Sequence, residues 1–163
     1  MVAVKSVKID GEMIHVFQSV IYIFETNTAV TLEIDMIVSE VTVNKYKTEK
    51  TLIIEIELVD GRRISSIMHV KILSGNLPQM NLYMELDDTE DYQDFLRINE
   101  NASSFPVIGE GITIEEIRKV EMPNERVSLK LILPIDQVEW LKKQKGKDLN
   151  VLFKDLIYNY WEK

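Results

Sequence analysis

Two Asp-Gly pairs, Asp10-Gly11 and Asp60-Gly61, each sit between runs of alternating apolar residues. Both positions of such a pair accept positive φ, which a two-residue antiparallel hairpin requires. The flanks agree: Val2, Val4, Val7 and Ile9 precede the first turn, and Leu52, Ile54, Ile56 and Leu58 precede the second. A chain with this pattern is constrained to antiparallel β structure through its first hundred residues.

The other segments of that region extend the pattern. Ile14, Val16, Val20, Ile21 and Ile23 predict one continuous second strand, followed by a turn at Glu25–Thr28. Val30, Leu32, Ile34, Met36 and Val38 alternate over a long strand, and Lys45 to Lys50 reads as a polar break. Ile64, Ile67, Val70 and Ile72 alternate less regularly, so a bulge is expected there. Ser74–Pro78 is a loop, and Leu82, Met84 and Leu86 form a further strand. Six or seven strands are expected, as an antiparallel sheet, small barrel or sandwich. The two hairpins read as parts of one β domain or as a duplication. Asp88 to Ile98, with acids at its start, predicts a short helix. Thr113-Ile-Glu-Glu116 fits a capping box, with Ile114, Ile117 and Val120 on one helical face, strand being the alternative. Met122-Pro-Asn-Glu125 interrupts two patterned segments and marks a boundary. The expected organisation is α+β: a β-rich domain over 1–122 and a strand–helix–helix segment over 123–163.

Composition narrows the chemistry. With 45% hydrophobic residues the 163-residue chain can fill a core. It has no cysteine, which excludes disulfides and thiolate metal sites. No apolar run approaches the roughly 18 residues of a membrane span, and the start lacks the apolar stretch of a secretion signal. A cytoplasmic location without membrane association is expected. The formal net charge of −8 is uneven. Residues 126–163 hold eight Lys/Arg against five acids, a net +3, which leaves −11 on 1–125. Any nucleic-acid contact therefore falls to the tail.

Candidate catalytic patterns are sparse. His15 and His69, each read as lying in an apolar strand, could hold a metal only with a carboxylate brought beside them. Asp87, Asp88, Glu90, Asp91 and Asp94 lack the glycine of a calcium loop and read as helix-start acids. Gly109-Glu-Gly111 has no third glycine, and Ser103-Ser104 have no nearby base. A non-enzymatic protein with no metal or cofactor is expected.

The tail carries the most specific pattern. Val127, Leu129, Leu131 and Leu133 alternate with Ser128, Lys130 and Ile132, and Pro134 ends the strand and opens a helix. Ile135, Val138 and Leu141 share a helical face. Gly146 suits a left-handed helix stop and Asp148 an N-cap. Leu149, Leu152, Phe153, Leu156, Ile157, Tyr160 and Trp161 then form an apolar stripe. This strand–helix–helix order over 126–163 resembles the Arc/MetJ-like ribbon–helix–helix family. The resemblance implies a homodimer in which two strands form a ribbon and four helices close around it. Val127, Leu129, Leu131, Leu133, Val138, Leu141, Leu152, Phe153, Leu156, Ile157 and Tyr160 would form the dimer core. It also implies a transcriptional regulator whose ribbon enters the major groove. Ser128, Lys130 and Ile132 would face bases, with Lys142, Lys143, Lys145, Lys147 and Asn150 toward phosphates. Ile132 departs from the family's polar readers and could touch only a thymine methyl. Asp148 puts a negative charge near the phosphate position, and the first helix is shorter than usual. The acidic N-terminal domain would sense a ligand, contact another protein or add oligomeric contacts. The alternative is an interaction or structural protein whose tail only dimerises or packs on the sheet.

Overall fold

The computed structural model describes residues 2–161; positions 1, 162 and 163 lie outside the described residues. The chain divides into two compact units, Met1–Asn124 and Glu125–Lys163.

The first unit is built on one eight-stranded sheet. Its strands are β1 (Val4–Ile9), β2 (Glu12–Ile14), β3 (Gln18–Glu25), β4 (Val30–Ile37), β5 (Thr51–Leu58), β6 (Arg63–Leu73), β7 (Gln79–Glu85) and β8 (Leu96–Asn99). Their spatial order is β2-β1-β5-β6-β7-β4-β3-β8. Every pairing is antiparallel except β3 with β8. Both Asp-Gly hairpins are present. At the first, Asp10 and Gly11 have φ of 49° and 84°, the double positive pair that matches the sheet's twist. The alternation works as expected on β5, where Leu52, Ile54, Ile56 and Leu58 are buried and Ile53 is exposed.

The sheet curls so far that β1 and β3 approach each other from opposite ends of the order. The concave face collects Ile9, Ile23, Ile34, Ile54, Met68 and Leu82, all essentially inaccessible, into a single core. The opposite face is also covered along β3 and β4. There Tyr22 and Ile37 are buried, beneath a segment that includes Phe105 and Gly109. Gly109 has φ +97°, and a Cβ on it would lie 3.0 Å from Leu77 Cδ1. Gly109→Ala therefore meets both backbone strain and a close contact. A loss of about 1–3 kcal/mol is expected in urea unfolding.

Four sequence expectations are corrected. The second strand is two strands, broken at His15–Phe17, where the Phe17 N–H bonds the Ile37 carbonyl instead of continuing a ladder. The register shift lies in β1 between Val4 and Ser6, while β6 pairs without interruption. The polar break begins inside a helix, α1 (Glu40–Tyr46), capped by the Ser39 hydroxyl, which accepts from the Thr42 N–H. The 88–98 helix is only a 3-10 turn at Glu90–Tyr92 followed by β8. Pairing with β3 draws Leu96–Asn99 into extended form, and Phe95 and Ile98 are buried there. The capping box is present at α2 (Ile114–Val120): Thr113 accepts from the Glu116 N–H and the Glu116 carboxylate accepts from the Thr113 N–H. Ile117 is its buried anchor, while Val120 is exposed. α2 is tied to α1 by the Arg118–Glu40 ion pair and by the Ser39 hydroxyl donating to Glu121.

The second unit contains α3 (Ile135–Lys143) and α4 (Gly146–Trp161). Among the described residues no helix is long and apolar enough to cross a membrane.

Candidate nucleic-acid interface

Residues 126–133 belong to no strand and form no ladder with any described residue. A β-strand is completed only by a partner's backbone groups, so an alternating pattern alone leaves this segment without regular structure. Val127, Leu129 and Leu131 are 80%, 64% and 55% exposed. Ser128 and Lys130 are exposed as well, and Ile132 is fully so.

The helices follow with less burial than their composition asks for. Pro134 opens α3, its carbonyl accepting from the Gln137 and Val138 N–H groups. Leu133, Val138, Leu141, Leu152 and Phe153 are half-buried. Neither helix has a fully buried residue, and Leu156, Ile157 and Tyr160 are exposed. The residues assigned to a dimer core thus all lie on this unit, and none is buried by its own chain.

The turn between the helices differs from expectation. Gly146 does not adopt positive φ; α3 stops at Gln144 in extended conformation, and Gly146 begins α4. Asp148 therefore lies in the first turn rather than at the N-cap. The Leu149 N–H already bonds the Lys145 carbonyl. The N–H groups of Gly146, Lys147 and Asp148 precede it and have no carbonyl within the helix to bond. Lys142, Lys143, Lys145 and Lys147 are all exposed around this turn, and Asn150 lies one residue past its first bonded N–H.

The remaining candidates separate. His15 lies in the break between β2 and β3, edge-on to Phe17 at 4.5 Å, and His69 on β6 stacks on Tyr83 at 5.0 Å. No group of three possible metal ligands occurs among the described residues. Asp94 pairs with Arg62, which also holds Asp60 and sits over the Phe95 ring.

One cluster was not singled out by sequence reasoning. On the convex face of β3, β4 and β7, the Asn81 amide donates to Asp35 at 2.6 Å and to Glu33 at 3.0 Å. The Tyr22 hydroxyl lies 3.2 Å from an oxygen of each carboxylate. These residues come from three strands and meet through the registers Tyr22↔Glu33 and Asp35↔Asn81. The available signal was that β4 carries two acids in a strand whose end, Met36-Ile37, is buried on both faces.

Burial drives the Asp35 carboxyl above its usual 3.8, with the Glu33 charge adding to the rise. The Asn81 and Tyr22 hydrogen bonds and the Lys71 charge oppose it. Burial first, then the Asp35 and Glu33 charges, likewise push the Tyr22 hydroxyl up. A carboxyl raised in the folded state holds its proton more tightly than in the unfolded chain. Its contribution therefore favours folding at low pH and is lost as pH rises from about 3.8 through the folded value. Relative to wild type, Asp35→Asn should gain stability between about pH 4 and pH 7, read by urea unfolding at both. An unchanged difference would remove the cost assigned to this buried charge.

Comparison of the chain with protein-family models, with curated proteins and with solved structures finds no match.

Proposed function

We propose that the tail pairs with a second copy as a ribbon–helix–helix dimer and that this dimer binds DNA as a transcriptional regulator. The observation that carries the reading is the unladdered, alternating segment 126–133, with Val127, Leu129 and Leu131 exposed at alternate positions and two incompletely buried amphipathic helices after it. Burying each such valine or leucine is worth roughly 1.5–3 kcal/mol. Antiparallel pairing of two copies also satisfies the strand's backbone groups.

In that ribbon Ser128, Lys130 and Ile132 share the outward side. Lys130 supplies a donor for guanine, Ser128 an adaptable hydroxyl, and Ile132 a contact for a thymine methyl. The free N–H groups of Gly146 and Lys147, with Lys142, Lys143 and Lys145, suit a phosphate. Asp148 works against this, and it favours the second reading, a tail that dimerises without DNA.

The test is selection of the full-length chain on a random duplex library, followed by salt titration of the best site. Affinity should fall steeply with salt, and Lys130→Ala should cost about 1–3 kcal/mol on that site. Absence of binding at low ionic strength would leave only the second reading.

A further inference from the structure

The acidic cluster on the convex face lies in an open pocket of about 590 Å³. Its size is that of a small-molecule site. Tyr22, Glu33, Asp35 and Asn81 line its polar side, and Phe24, Phe105 and Tyr83 supply aromatic rings. The Phe24 and Phe105 centroids are 5.6 Å apart. The pocket lies wholly within the first unit.

The charges in it are unbalanced. Asp35 is only 7% exposed, and Glu33 is half-buried beside it. Their hydrogen-bond donors are the Tyr22 hydroxyl, the Asn81 amide and the Thr31 hydroxyl, none of them cationic. Neither carboxylate forms an ion pair among the described residues. Lys71 lines the same pocket and is exposed, a single positive charge against two negative ones. Buried carboxylates are normally paired, because an uncompensated charge in a low-dielectric site is costly. Here the missing charge faces an open space walled by aromatic rings, and ring faces attract cations. Two carboxylates and no third ligand, in a space this large and this apolar, fit an organic cation better than a bare metal ion.

We infer that this pocket binds a primary ammonium group carried on an apolar body, with the ammonium donating to Glu33 and Asp35 and the apolar part against Phe24, Phe105 and Tyr83. The inference does not depend on DNA binding by the tail. The ammonium could belong to a free amine or to a lysine side chain of a peptide.

The experiment is titration of the isotope-labelled full chain with n-butylammonium, n-butanol and a short lysine-containing peptide, followed by amide NMR. Butylammonium should give saturable shifts at Thr31, Glu33, Asn81 and Tyr83. The neutral alcohol should bind at least about tenfold more weakly. Glu33→Gln, which keeps the side chain's shape, should weaken butylammonium by a similar factor. Phe105→Ala, at a position 49% exposed, should also weaken it. A peptide that binds more tightly than butylammonium identifies a protein lysine as the source, and a weaker one identifies a free amine. Shifts that do not saturate, equal binding of the alcohol, or butylammonium binding unaltered in both variants would overturn the assignment.

Discussion

Changing Leu129 and Leu131 together to glutamate should leave the full chain monomeric, with any specific DNA binding lost. The two leucines are at alternate positions of the 126–133 segment and are 64% and 55% exposed in the single chain. The substitution therefore removes no buried contact within a monomer, and the chain should fold as before. In a paired ribbon the same positions face the dimer core, where four carboxylates would be buried without partners. Each such charge costs several kcal/mol, more than a dimer interface of this size can absorb. Ser128→Glu is the control. It places one charge on the opposite side of the same strand, so it should leave the dimer intact and reduce DNA affinity. Light scattering and a binding titration on both variants read the two effects separately. Dimers in both would show that association does not use this segment's apolar side.

Ile54→Ala should destabilise the first unit by about 2–5 kcal/mol. Ile54 is 0% exposed on β5, paired with Ile9 on β1 and Ser66 on β6. It points into the one core shared by six strands of the curled sheet. Truncation removes three carbons from a site whose neighbours are held on two ladders and can close the gap only partly. Urea unfolding measures the effect as a lower midpoint. The tail should be insensitive to it, so a variant that keeps its dimer while losing stability would separate the two units energetically. A loss under about 1 kcal/mol would mean that the core at this point is loosely packed.

What was legible in the sequence follows from the range of the interactions. The Asp-Gly hairpins are local: turn chemistry and flanking alternation lie within a dozen residues, and both formed. The capping box at Thr113–Glu116 is also local and formed. α1 was hidden because its β-branched run Val41-Thr42-Val43 favours strand over helix, although Ser39 carried an N-cap signal. β8 was hidden for a different reason. Its four residues are extended by parallel pairing with β3, some seventy positions away, and nothing local encodes that. The Tyr22–Glu33–Asp35–Asn81 cluster is likewise a product of register. Each residue alone reads as the solvent side of an alternating strand. Only the order β7-β4-β3, and the Phe105 segment near Phe24, turn that side into a lined pocket. In the tail, the helices were legible from their stripes, while the turn at Gly146 was misjudged because a glycine can start a helix as well as stop one.

The proposed dimer makes the 126–133 segment one half of a ribbon. The solution mass of the full-length chain tests it most directly, measured by light scattering across a dilution series reaching micromolar concentration. Twice the chain mass is expected throughout that range. A chain that remains at its single mass would contradict it, since among the described residues the 126–133 segment has no ladder partner.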